Sequence, residues 1–330
     1  MHMIHFFPSS VKFSYTNGIF RAIMEDRKEG EYMKTYEIYQ IDAFTTERFR
    51  GNPAGVVPNA DGLTEAQMQQ IARELNNSET AFIHSGDKDC DVHVRFFTPT
   101  REVPICGHAT VSAHYTRALK LGITEPATVL QKTGAGILPV DILPLENGDY
   151  EIRMTQGEIS VEPLDCVEEW LCSALGISVD DLREDCPIAI ASTGHSKVMV
   201  GIKSRELLHS LNPNQQALAE LSAEIGCNGY YVFTLSPDED ILVHGRMFAP
   251  AIGIAEDPVT GNANGPLGAY LCHYSLIDTS ADSADFTAMQ GEAIGRAGQM
   301  RVHVELNNGK PTKVQISGRA VVAFKTEIEL

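Results

Sequence analysis

Three residues of this chain are of a type and in a setting that could move a proton. Glu79 stands in Asn77-Ser78-Glu79-Thr80-Ala81-Phe82, directly ahead of an apolar strand-like run. His108 stands in Cys106-Gly107-His108, and Asp257 in Glu256-Asp257-Pro258-Val259-Thr260-Gly261. A carboxylate beside a group that can donate to it or carry its proton is the minimum equipment for general acid–base chemistry. Each residue also has a structural alternative. Glu79 could cap a loop, and His108 could be a satisfied helix-start residue. Asp257 could be an acid favoured by a helix dipole, with Glu256 as the competing carboxylate at the same place. Cys106, just before Gly107, reads better as a small buried residue than as a nucleophile. A two-thiol racemase needs a second cysteine in the equivalent place, and that place holds Thr260.

These residues need elements to hold them, and the chain supplies two similar sets. Cys106-Gly107-His108-Ala109-Thr110 has a near-copy in Thr260-Gly261-Asn262-Ala263-Asn264. Each follows an Arg-x-Phe-x-Pro segment, Arg95–Pro99 or Arg246–Pro250, and opens a run free of Asp, Glu, Lys and Arg. A glycine and a small polar residue at the head of an uncharged helix leave backbone N–H groups free for an anion. Around these helices the same elements recur. Strands are predicted at Tyr36–Ala43, Asp91–Phe97, Val129–Ile142 and Tyr150–Met154, then again at Ile188–Ile202 with a break at Thr193-Gly194, and at Tyr230–Phe233, Asp240–Phe248, Gln299–Leu306 and Lys313–Ile316. Thr64 to Gln67 forms a capping box ahead of the stripe Met68, Ile71, Ala72, Leu75. Asn212-Pro213 is read as the N-cap and first residue of a helix with the stripe Leu218, Leu221, Ile225. Gly51-Asn52-Pro53 is read as a turn and residues 157–165 as a linker.

A repeat of roughly 150–160 residues is too long for a solenoid. It describes two copies of one mixed α/β domain, 33–157 and 158–330, with the site expected between them. The last strand could pack back on the first copy. Residues 1–32 read as an extension outside the fold, with Met33 as an alternative start.

Bulk properties narrow the function. The chain has 330 residues, 43% hydrophobic and 21% charged, as in an ordinary globular protein. A formal net charge of −18 argues against nucleic acid or an anionic membrane as partner, but not against a small anionic substrate held locally. Seven cysteines, none paired as C-x-x-C, suggest reduced thiols rather than disulfides or a zinc site. The uncharged run 258–277 matches a membrane span in length, but its Pro, Gly and Asn content reads as a buried helix. No dinucleotide-binding or P-loop glycine pattern, zinc-protease motif or nucleophile elbow occurs.

The ordered segments Asp42-Ala43-Phe44-Thr45, Gly51-Asn52-Pro53-Ala54, Ser78–Phe82, Phe97-Thr98-Pro99, Gly107-His108 and Glu256-Asp257-Pro258-x-Thr260-Gly261 resemble the PhzF-like family, the phenazine-biosynthesis isomerase and its relatives. The resemblance runs from Met33 to the C-terminus. It implies an α+β, diaminopimelate-epimerase-like fold with two pseudo-symmetric domains, each a curled mixed sheet around a central helix. It also implies a cleft that uses no cofactor and no metal, commonly a homodimer, and a biosynthetic enzyme acting on a small anionic or zwitterionic substrate, while the reduced thiols point to a cytoplasmic setting. By motif position, Glu79 moves the proton, His108 and Asp257 support it, and Gly107, Gly261, Asn262, Ser78 and Asn52 contact the substrate. Asn262 and Ala109 depart from the phenazine enzyme, which carries Ser and Pro there, and this bears on the substrate. The expected activity is a proton shift on a small carboxylic or amino acid, with the Glu79 pKa raised above its ordinary ~4.3 by burial. An epimerase or racemase of a small amino acid, and a non-catalytic binding protein on the same fold, are the alternatives.

Overall fold

The computed structural model describes residues 33–165, 167–236 and 240–330, so the expectation for 1–32 lies outside the described residues. The first half holds eight strands: Thr35–Ala43 (β1), Asn52–Val57 (β2), Thr80–Ser85 (β3), Val92–Phe97 (β4), Glu102–Val103 (β5), Ala127–Thr133 (β6), Gly136–Pro144 (β7) and Tyr150–Thr155 (β8). Between them run the helices Glu65–Leu75 (α1) and Gly107–Leu121 (α2). The second half repeats the plan, beginning with strand Ile159–Pro163 (β9) and helix Glu168–Leu175 (α3). Strands Ala189–Thr193 (β10), Ser196–Gly201 (β11), Tyr230–Leu235 (β12), Val243–Ala249 (β13), Ile254–Asp257 (β14), Ser283–Gln290 (β15), Gly298–Asn307 (β16) and Lys310–Glu329 (β17) complete it. Its other helices are Arg205–Ser210 (α4), Gln215–Ile225 (α5) and Gly261–His273 (α6).

The pairings match between halves. β1 and β2 are antiparallel, β2 and β3 parallel, β3 and β4 antiparallel, and β4 pairs in parallel with β6. In the second half β10 and β11 are antiparallel, β11 and β12 parallel, β12 and β13 antiparallel, and β13 pairs in parallel with β15. β17 spans 20 residues and belongs to both sets. Its first part pairs with β16, and Gln315–Arg319 pairs with β8, then the chain reaches β1. β1, β2, β3, β4, β6, β7, β8 and β17 therefore close on themselves, a curled mixed sheet in an α+β fold.

α2 and α6 fill the two curls. An all-round apolar or small-residue helix is stable only when it is surrounded. Ten of the fifteen α2 residues and eleven of the thirteen α6 residues are buried, including Pro266 inside α6. α2 packs on β2, β3, β7 and β8, and α6 on β9, β10, β11 and β16. Period-2 alternation sends one face of each strand to these helices and the other to outer clusters. Met199, Tyr231 and Phe233 go inward, and Val198, Val200, Tyr230 and Val232 outward. The Arg-x-Phe repeat has one physical use in both halves. Arg95 lies over the Phe97 ring at 5.1 Å and Arg246 over Phe248 at 5.0 Å, cation–π contacts worth ~0.5–2 kcal/mol each.

The Thr64 capping box forms, and Asn76 ends α1 in the left-handed region. Four local readings change. Val129–Ile142 is not one strand but a hairpin, with β6 ending at Thr133 and β7 starting at Gly136. Residues 157–165 contain β9, which pairs with β10, because Ile159 and Val161 pack on the core. Asn52-Pro53 starts β2, and the turn ends at Gly51, whose φ is +60°. The N-cap of α5 is Asn214, whose side chain accepts from Ala217 N at 3.1 Å, two residues beyond the predicted Asn212.

Candidate active site

Glu79 ends the connection from α1 and immediately precedes β3. Its inward direction follows from the strand alternation, since Ala81 and Ile83 join the cluster around α2 while Phe82 joins the outer one. One Glu79 carboxylate oxygen, Oε2, lies 3.4 Å from Cys106 Sγ and 3.4 Å from His108 Nε2. His108 is also 3.2 Å from Ser78 Oγ, and its Nδ1 is 3.4 Å from Cys106 Sγ. Four side chains from two segments thus meet at the start of α2. Cys106 is buried, and that burial, joined by the Glu79 charge, pushes its thiol well above the ordinary thiol range. At neutral pH it is a proton-bearing neighbour of Glu79 rather than a thiolate.

The second half brings Asp257. Asn52 Nδ2 donates to Asp257 Oδ1 at 2.9 Å and to the Val259 carbonyl at 2.9 Å. Thr260 Oγ1 donates to the other Asp257 oxygen. Burial pushes the Asp257 carboxyl up; His108, Thr260 and Asn52 pull it partly back, and the Glu79 charge adds to the rise. Asp257 is therefore within electrostatic reach of both Glu79 and His108. Glu256, the competing carboxylate, is occupied elsewhere: Arg246 grips it with bonds of 2.9 and 2.7 Å while also donating to the Leu208 and Leu211 carbonyls. Alternation along β14 separates the two acids, one to a structural arginine and one to the site.

Gln290, at the end of β15, is a site residue that spacing alone does not single out. It donates to the Asp257 carbonyl at 2.7 Å and accepts from Thr260 N at 3.0 Å. It also accepts from Asn264, which Tyr231 OH bonds in turn at 2.7 Å. In the repeat, Leu130-Gln131-Lys132 and Met289-Gln290-Gly291 fall in register, and that is the sequence signal that points to it. Gln131 instead meets His114, whose complete burial brings the imidazole down to about 4. His114 is a packing residue.

Gly107 and Gly261 begin the two central helices, and their N–H groups precede the first intrahelical bonds. A Cβ at Gly261 would meet Ile316 Cδ1 at 2.4 Å, whereas one at Gly107 would meet nothing within 4 Å. Gly261 is needed for packing, and Gly107 faces open space. Asn262 is partly exposed on the first turn of α6. Glu79, Cys106 and His108 offer ligand atoms within 4.8 Å of one another, a grouping that chain spacing does not reveal. A cavity of about 370 Å³ lies elsewhere, lined by Phe44, Arg50, Arg301, Ser317 and Arg319, among others. It contains none of the candidate residues, and convergent chemistry outranks cavity size in assigning the site.

The model of the family described as phenazine biosynthesis-like protein matches residues 41–326, a span that holds every side chain of this site. The chain belongs to the PhzF family. An uncharacterized isomerase of Clostridium acetobutylicum is 59% identical over 302 residues, covering 90% of this chain and 99% of the relative. A Bacillus anthracis phenazine biosynthesis protein of the PhzF family, solved by crystallography, superposes with a TM-score of 0.83 at 35% identity, covering 90% of this chain and all of that one. The trans-2,3-dihydro-3-hydroxyanthranilate isomerase of Pseudomonas chlororaphis is 32% identical, covering 88% of this chain and 98% of the relative. The fold is therefore the PhzF, diaminopimelate-epimerase-like one, and the family places the chain among isomerase-type enzymes.

Proposed function

We propose that this PhzF-family chain is a cofactor-independent isomerase that moves a proton between two carbons of a small carboxylic or amino acid. The observation that carries the proposal is Glu79 Oε2, held 3.4 Å from both Cys106 Sγ and His108 Nε2 at the open start of a buried helix. Glu79 takes a proton from carbon as the C–H bond breaks. The electron pair moves into the conjugated system, and the same carboxyl returns the proton to another carbon. No atom is gained or lost. His108 and Asp257 hold the charge balance, Ser78 orients His108, and the N–H groups of Gly107, Gly261 and Asn262 serve the substrate carboxylate. The similarity to the Pseudomonas hydroxyanthranilate isomerase supports a small cyclic amino acid as the substrate class.

The test is turnover in heavy water with a panel of unsaturated small amino acids. The expected result is deuterium at a carbon remote from the one that lost hydrogen, abolished in Glu79→Gln. Exchange confined to one stereocentre would assign an epimerase instead. Full turnover by Glu79→Gln would remove Glu79 from the mechanism.

A further inference from the structure

The two halves place different groups at one equivalent position. In the first half, Gly55 N donates to the Glu79 carbonyl at 3.4 Å, and Gly55 pairs with Thr80. In the second, Val198 N donates to the Gly229 carbonyl at 2.8 Å, and Val198 pairs with Tyr230. Glu79 and Gly229 are thus equivalent, as are their cross-strand neighbours Ala54 and Lys197. A Cβ on Gly229 would meet Lys197 Cδ at 2.4 Å and Cε at 2.8 Å. The lysine stem fills the space that a side chain at 229 would take. Where the first half sets a small Ala54 beside a long acid, the second sets a long base beside a glycine.

Lys197 also points the right way. Met199, two residues on, joins the cluster around α6, whereas Val198 and Val200 join the outer one. Alternation then puts Lys197 on the inner face. Its ammonium donates to the adjacent Ser196 carbonyl at 3.0 Å and forms no salt bridge among the described residues. Burial pulls the Lys197 amine below the ordinary lysine range, and Cys227 and Asp257, both within electrostatic reach, pull it partly back. A half-buried ammonium on the inner face, with no carboxylate in salt-bridge contact among the described residues, is a group that an incoming anion can pair.

We propose that Lys197 is the cationic anchor for a carboxylate of the substrate, seated across the two halves from Glu79. This rests on reading the Glu79 seam as the substrate site. It gives the site an acid/base group from one half and a charge-selecting group from the other, and makes the substrate an acid rather than an amine alone.

The test is equilibrium binding of 2-aminobenzoate against its uncharged match, 2-aminobenzamide. The wild-type protein is expected to prefer the carboxylate about tenfold or more. Lys197→Met should cut that preference several-fold without changing amide affinity, leaving the part that the helix-start N–H groups supply, and Lys197→Arg should keep most of it. Gly229→Ala, which pushes the lysine aside, should weaken carboxylate binding as Lys197→Met does. Acetic anhydride labelling of the wild-type chain, read by mass spectrometry, should show Lys197 protected by the carboxylate but not by the amide. Equal binding of carboxylate by wild type and Lys197→Met, no carboxylate preference in the wild type, or no protection would each overturn the anchor. Binding through Lys197 without Glu79-dependent exchange of carbon-bound hydrogen would sink the isomerase reading and leave the anchor standing. Exchange with an unchanged preference in Lys197→Met would sink the anchor alone.

Discussion

Asn52 and Asp257, 205 positions apart in the chain, share a hydrogen bond of 2.9 Å. Asn52 opens β2 of the first half, and Asp257 closes β14 just before the central helix of the second. The same amide group also donates to the Val259 carbonyl, so one side chain fixes both the acid and its backbone. The site is assembled by such cross-half contacts and not by any single segment.

Removing the proposed acid/base group should separate chemistry from fold. Glu79→Gln keeps the size of a side chain that is 17% exposed, and should lower turnover ~10²–10⁴-fold or more. Its thermal midpoint should stay within a few degrees of the wild type. Circular dichroism melts alongside the heavy-water assay check both halves of this expectation.

Cys106 should behave as an inert thiol. Burial and the Glu79 charge keep it protonated, so iodoacetamide near pH 8 should modify it more slowly than a free cysteine peptide. Cys106→Ala should retain turnover within about tenfold, because a neutral neighbour shapes the site without receiving the proton. Rapid alkylation with loss of turnover would make the thiol a participant.

Gly51 should matter at a distance. Its φ is +60°, and a Cβ there would meet the Ala43 carbonyl oxygen at 2.1 Å. The loop it ends is pinned by Asp42, which accepts from Phe49 N at 2.7 Å and pairs with Arg296 at 2.7 Å. Gly51→Ala should cost about 1–3 kcal/mol and displace Asn52 from Asp257. Urea unfolding measures the first, and a fall in turnover with Glu79 intact measures the second.

Glu292 gives a pH-dependent stability. Burial pushes its carboxyl up, but hydrogen bonds from His244 and Arg205 outweigh burial and bring it from 4.5 down to about 2. A lowered carboxyl stabilises the fold above its unfolded pKa, and that contribution fades as pH falls through the folded value. Glu292→Gln should therefore cost about 3 kcal/mol at pH 7. The deficit should shrink from pH 4.5 towards 2, and denaturant midpoints at pH 7 and pH 3 report it. An equal deficit at both pH values would show that the cost comes from packing instead.

Much of this protein is legible in its sequence, because local signals decide local things. The Thr64 capping box and the uncharged runs of the central helices act within a few residues of themselves. The repeat of Arg-x-Phe and helix-start glycine reports two copies of one unit, since the same contacts must form in each. The ordered motifs around Glu79, His108 and Asp257 place the chain in its family. The tertiary structure alone decided which of two adjacent acids faces the site, because strand alternation hands Glu256 to Arg246. It alone put Gln290 on Thr260 and Lys197 over Gly229, and turned a supposed linker into β9. Those choices depend on which strands become neighbours, and pairing between residues far apart leaves no local pattern to read.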